Sequence, residues 1–201
     1  MSTSPFVRAA VPLLLLGLAG CSKSAANSSP TEPASTTSGE APAASAVPAA
    51  PAELLAVGSD APPIRTKAHD GQAVNLSELR GKPVVVYFYP KDDTPGCTVE
   101  AEGIRDEWPE LSKTGAIVMG VSTDDADSHR AFASKYQLPF LLLPDPDAEL
   151  AKAFGVPLKN GRAKRVTFVI DKAGKIARVF PDVTPKDHAK ELLDAVRALS
   201  G

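Results

Sequence analysis

Residues 83–89 read PVVVYFY, an unbroken β-branched and aromatic run. A strand with no polar alternation has no face to offer to water, so it belongs at the centre of a covered sheet. AIVMGVS at 116–122 is a second run of the same kind. Residues 97–114 between them carry a helical pattern interrupted at Pro109. ADSHRAFASKYQ at 126–137 is an amphipathic helix with Phe132 and Tyr136 four apart on one face. FLLL at 140–143 is a short strand, and PDAELAKAFGV at 146–156 a short helix closed by Gly155.

RVTFVID and KIARVF flank Lys172-Ala173-Gly174, the mark of a hairpin. TPKDHAKELLDAVRALS is a last helix, with Thr184 expected as N-cap and Pro185 at its first position. Alternating strands and helices imply parallel strands with helices on both faces. The closing hairpin makes the sheet mixed. The fold class is therefore α/β, and a thioredoxin-like sandwich fits the element order. In open α/β sheets, sites lie beyond the carboxyl ends of strands. The loop 90–97 leaves the central strand at that end and carries Cys97.

The domain occupies residues 53–201, long enough for one well-covered core. What precedes it is of another kind. Residues 9–19, AAVPLLLLGLA, follow Arg8 and are too short to span a bilayer, which needs about 20 residues as a helix. They read as the apolar core of a signal peptide over residues 1–20. Leu18-Ala19-Gly20-Cys21 resembles the lipobox of bacterial lipoproteins, which implies cleavage before Cys21 and lipidation of its thiol. Residues 22–52 are Ala, Pro or Ser at 22 of 31 positions and read as a disordered tether. Ser22 follows the cysteine, where inner-membrane retention is associated with aspartate. The outer membrane facing the periplasm is the expected location in a two-membrane host.

Net charge is −2, and removal of residues 1–20 would leave 21 basic and 24 acidic side chains, or −3. Nothing in that balance calls for nucleic acid. With Cys21 blocked, Cys97 would be the one free thiol, so an intrachain disulfide is excluded. Cys97 stands at an expected helix start, where unpaired N–H groups and the helix dipole favour the thiolate form. Thr94 lies within reach of it, and Pro90 can wall off one side without adding a donor.

Pro90-Lys91-Asp92-Asp93-Thr94-Pro95-Gly96-Cys97 resembles the active-site loop of peroxiredoxins, P-x-x-x-[T/S]-x-x-C. VVVYFYPKDDTPGCTVEAEGIRD around it is similar to the peroxiredoxin Q, or bacterioferritin comigratory protein, group. VGSDAPPI, GAIVMGVSTDD, LPFLLLPDPDAELAKAFGV and RVTFVIDKAGKI extend the likeness over nearly all of residues 55–200. The resemblance implies a thiol-dependent peroxidase. Cys97 matches the peroxidatic cysteine, Thr94 the hydroxyl that bonds sulfur and peroxide, and Pro90 the shielding proline. Arg165 matches the arginine beside the thiolate, with Arg162 and Lys164 as competing positions better read as solvated turn charge. Glu100 matches an acid that orients the arginine, although an acid in a first helical turn needs no such role. No metal, haem or flavin is implied. His69, His129 and His188 make no ligand pattern and are expected at the surface.

Many peroxiredoxin Q members carry a resolving cysteine five residues after the peroxidatic one; here Glu102 holds that position. A one-cysteine mechanism follows, with a hydroperoxide as substrate and an external thiol, either small or on a thioredoxin-like protein, as reductant. A monomer or weak dimer is expected. Two competing readings share the fold. A membrane-tethered thiol–disulfide oxidoreductase needs Cys-x-x-Cys, and CTVE places Glu100 in the second position. A non-enzymatic thioredoxin-like lipoprotein, such as a copper carrier, needs paired cysteines with a loop histidine, which are absent.

Overall fold

The computed structural model describes residues 53–200. The expected signal peptide, the expected lipidation site Cys21 and the expected tether lie outside them. A small hairpin, β1 (Arg65–Lys67) and β2 (Ala73–Asn75), leads into a 3-10 turn at Leu76–Leu79. Then follow β3 (Val84–Phe88), helices α1 (Pro95–Asp106) and α2 (Trp108–Lys113), β4 (Ile117–Ser122), α3 (Ala126–Tyr136), β5 (Leu141–Pro144) and α4 (Glu149–Ala153). A second small ribbon, β6 (Leu158–Lys159) and β7 (Arg162–Ala163), precedes β8 (Val166–Ile170), β9 (Ile176–Phe180) and α5 (His188–Ser200).

The main sheet has the order β5-β4-β3-β8-β9. β3, β4 and β5 run parallel, and β8 and β9 antiparallel to their neighbours. β3 is the central strand, with all five residues buried. Period-two alternation divides it between two cores. Val85, Tyr87 and Tyr89 share one core with Ala101, Leu111, Phe132 and Leu192, so α1, α2, α3 and α5 cover that face. Val84, Val86 and Phe88 share the other with Val74, Phe154, Phe168 and Ile176, under α4 and the first hairpin. The mixed sheet flanked by helices is the expected thioredoxin-like sandwich.

Three local readings shift. The helical break falls at Glu107, and Pro109 lies in the first turn of α2, where its missing N–H costs nothing. α5 begins at His188 rather than at Pro185. The Thr184 carbonyl accepts from the Asp187 and His188 amides at 3.1 and 3.2 Å, so residues 185–187 form a turn ahead of the helix. The β6–β7 ribbon is additional. Asn160-Gly161, with φ of 52° and 74°, is a type I′ pair, and that dipeptide is a strong hairpin signal.

Gly120 on β4 lies opposite Tyr87 on β3. A β-carbon there would stand 2.6 Å from the Tyr87 ring, so only glycine lets that ring lie across the sheet. Tyr87 in turn packs with Tyr89 and Phe140, ring centroids 5.4 and 6.0 Å apart. These three rings belong to the same buried cluster as Cys97.

Candidate functional site

Thr94 is the N-cap of α1 in extended conformation, and Pro95 occupies its first position, pre-set for the helix. Cys97 therefore falls in the first turn, and its side chain is 2% exposed. The loop that delivers it is fastened at three consecutive residues. Lys91 pairs with Asp124 at 3.2 Å. Asp92 donates its amide to Asp124 at 2.9 Å, and its buried carboxylate accepts from the Tyr89 and Ser128 hydroxyls, each at 2.7 Å. Asp93, with φ of 55°, accepts from Lys135 and Tyr136 on α3. Those two bonds hold its carboxyl below the usual range.

Arg165 comes from the residue ahead of β8, antiparallel to β3, which brings its guanidinium back over α1. Nη2 donates to Cys97 Sγ at 3.4 Å, and Nη1 is bonded to Glu100 Oε2. Gly96 makes room for this, since a β-carbon there would lie 3.3 Å from Nη2. Burial depresses the Arg165 guanidinium, but Glu100 and Cys97 more than offset that and hold it above its ordinary value. Glu100 is wholly buried. Burial pushes its carboxyl up to about 7 against the opposing pull of Arg165. One guanidinium thus bridges the sulfur and a buried acid sixty-five residues away in sequence.

The other expected residues fall as follows. Pro90 is half-buried and borders the same cleft as Arg165. Thr94 donates its hydroxyl to the Lys91 carbonyl at 3.1 Å, not to the sulfur. Arg162 and Lys164 are exposed. Glu102 is half-buried and pairs with Arg105 at 3.4 Å. Cys97 is the free cysteine of the described residues. No group of three or more His, Cys, Asp and Glu among the described residues could hold a metal.

The histidines correct the sequence reading. His129 and His188 are 0% exposed, and His69 is half-buried with its Nδ1 accepting from the Leu142 amide at 3.1 Å. Burial is possible because each of the first two has a partner from a distant element. His129 Nδ1 lies 2.8 Å from Asp92 Oδ2, within the loop clamp. His188 Nε2 lies 2.8 Å from Thr167 Oγ1 and 3.9 Å from Glu100 Oε1. Burial lowers the His188 pKa and so disfavours a charged ring beside Glu100. Gly96, Asp92 and His188 are site neighbours that the sequence did not single out. Only the Gly directly before Cys97 carried a local signal.

Comparison with known proteins agrees with this geometry. The AhpC/TSA family model matches residues 57–179. Putative peroxiredoxin bcp of Coxiella burnetii is 42% identical over 146 residues, 69% of this chain and 97% of that protein. Peroxiredoxin Bcp of Bacillus subtilis is 41% identical over 153 residues, 73% of this chain and 98% of that one. The solved Xanthomonas campestris peroxiredoxin Q superposes with a TM-score of 0.66 and 32% identity, covering 72% of this chain and 99% of that one. A family model matched over most of the domain and relatives above 40% identity that the chain covers almost in full leave one assignment: the chain belongs to the AhpC/TSA family and is a peroxiredoxin, a thiol-dependent peroxidase.

Proposed function

We propose that Cys97 is the peroxidatic nucleophile of a one-cysteine peroxiredoxin anchored at the cell envelope and recycled by an external thiol. The observation that carries the assignment is the Arg165 guanidinium, held by buried Glu100 and donating to Cys97 Sγ at 3.4 Å. The Cys97 thiolate attacks the terminal oxygen of a hydroperoxide. The O–O bond breaks, water or an alcohol leaves after taking a proton, and Cys97 becomes a sulfenic acid. Arg165 and the free amides of the first turn of α1 oppose the charge moving onto the leaving oxygen. Pro90 shields the sulfur from one side. Thr94, now bonded to the Lys91 carbonyl, turns its hydroxyl to the incoming peroxide. Glu100 orients Arg165. An external thiol then displaces water to give a mixed disulfide, and a second thiol releases Cys97.

Glu102 in place of a resolving cysteine supports the one-cysteine reading. One equivalent of peroxide added to the full chain carrying Cys21→Ser is expected to add a single oxygen to the Cys97 peptide, trappable by dimedone. Excess peroxide adds a second and third oxygen. Mass spectrometry of the digested protein checks this. A disulfide as the first stable product, or an unmodified thiol, overturns it.

Leu18-Ala19-Gly20-Cys21 and the Ala/Pro/Ser-rich segment after it support lipid anchoring, with the domain facing the periplasm as a monomer or weak dimer. Radiolabelled palmitate is expected in the wild-type chain and absent from Cys21→Ser. Equal label in both would remove the anchor from this reading. Placed there, the enzyme removes hydroperoxides at the envelope.

A further inference from the structure

Residues 158–165, LKNGRAKR, hold four cations and no acid in a chain whose net charge is −2. The β6–β7 register sets Lys159 directly opposite Arg162 across a two-residue ribbon. Like charges in that relation destabilise a ribbon. Nothing compensates them: Lys159, Arg162 and Lys164 form no ion pair with any described residue. A fold that needed only a turn here would gain by separating them.

All three border one cleft of about 290 Å³. Pro90, Asn160, Ala163 and Arg165 complete its lining, and no acidic residue lines it. Asp182 lines a neighbouring depression that shares Lys164 and Arg165 with the cleft. Arg165, which lines the cleft, is also the residue whose guanidinium reaches Cys97 Sγ at 3.4 Å. Its volume lies just below the roughly 300–1,000 Å³ usual for small-molecule sites.

We propose that this cleft is a carboxylate-binding subsite, in which Lys159, Arg162 and Lys164 hold the anionic end of a small molecule reacting at Cys97. The inference rests on Cys97 as the reacting atom and adds the class of its preferred reactant. Two reactants can carry the carboxylate, the hydroperoxide or the small thiol that reduces the sulfenic acid. Both must approach the same sulfur, so the subsite serves whichever is anionic.

The test separates the two half-reactions in the full chain carrying Cys21→Ser. Oxidation is followed by stopped flow with 6-hydroperoxyhexanoate and its methyl ester. Reduction of the sulfenic acid is followed with 3-mercaptopropionate, 2-mercaptoethanol and cysteamine, each corrected for its thiolate fraction. The anionic reagent is expected to react on the order of tenfold faster than its neutral counterpart in one or both steps, with the advantage shrinking as salt shortens the Debye length below about 10 Å. Enhancement in oxidation assigns the subsite to the substrate, and enhancement in reduction to the reductant. In Lys159→Glu/Arg162→Glu the anionic-to-neutral ratio is expected to fall to one or below. Lys67→Glu, an exposed charge on β1 outside the cleft, keeps the wild-type ratio. Ratios near one in both steps, or equal falls in both variants, overturn the subsite. Absence of reaction with both the hydroperoxide anion and its ester would instead overturn the role of Cys97.

Discussion

Cys97→Ser is expected to reduce peroxide consumption on the order of 10⁴-fold or more, to the level of the thiol reductant alone. The substitution changes one atom. The serine hydroxyl has the shape to occupy the same first-turn position in the cluster that holds Tyr87 and Ala101, but it does not ionise near neutrality and has no stable oxidised counterpart. Arg165 would still find an acceptor there, so the Glu100 bridge survives and the fold with it. The unfolding midpoint of the full-length variant is therefore expected to stay within a few degrees of the parent, a shift of roughly 1 kcal/mol or less. Measured on a Cys21→Ser background, residual turnover cannot come from the other cysteine. Activity that survives would assign the chemistry away from Cys97.

That prediction was legible in the sequence because its evidence is local. PVVVYFY announces a strand buried on both faces, and Pro90 and Pro95 bracket a loop that ends in a helix start. Strand runs and helix periodicity read the same way in any context, and β3, β4 and the β8–β9 hairpin follow them closely. What escaped depends on distance in the chain. Glu100 could be a solvated acid in a first helical turn until β8 and α5 close over it with Arg165 and His188. The histidines were expected outside because no spacing joined them to a partner. Their partners, Asp92 and Thr167, lie 37 and 21 residues away. Thr94 shows the limit from the other side. Its position was clear, but the acceptor of its hydroxyl, the Lys91 carbonyl, is a property of loop geometry.

Arg165→Met is expected to lower the second-order rate with peroxide on the order of 10²–10³-fold, the range for removing one preorganised donor from a charge-developing site. Methionine fills most of the volume, so the loss reports charge rather than a cavity. Glu100→Gln divides that effect, because glutamine keeps the shape and removes the counter-charge. Burial puts the Glu100 carboxyl at about 7, so its charge on Arg165 is present above that pH and absent below it. The wild-type rate should gain a component as pH rises through 7 that Glu100→Gln lacks. Stability moves the opposite way. The folded value is raised above the unfolded one of 4.5, so the native state binds more protons between 4.5 and about 7. Stability contributed by that protonation is full below 4.5 and lost as pH rises through 7, at most roughly 3 kcal/mol. Denaturant midpoints at pH 5 and pH 8 should therefore fall more in the parent than in Glu100→Gln, while the parent's rate rises. Parallel pH profiles for both proteins, in rate and in stability, would mean that Glu100 is not the acid that sets Arg165 against the sulfur. An enzyme whose activity and stability diverge across one pKa is what a buried, half-neutralised acid beside a catalytic cation entails: the charge that orients Arg165 is the same charge the core disfavours.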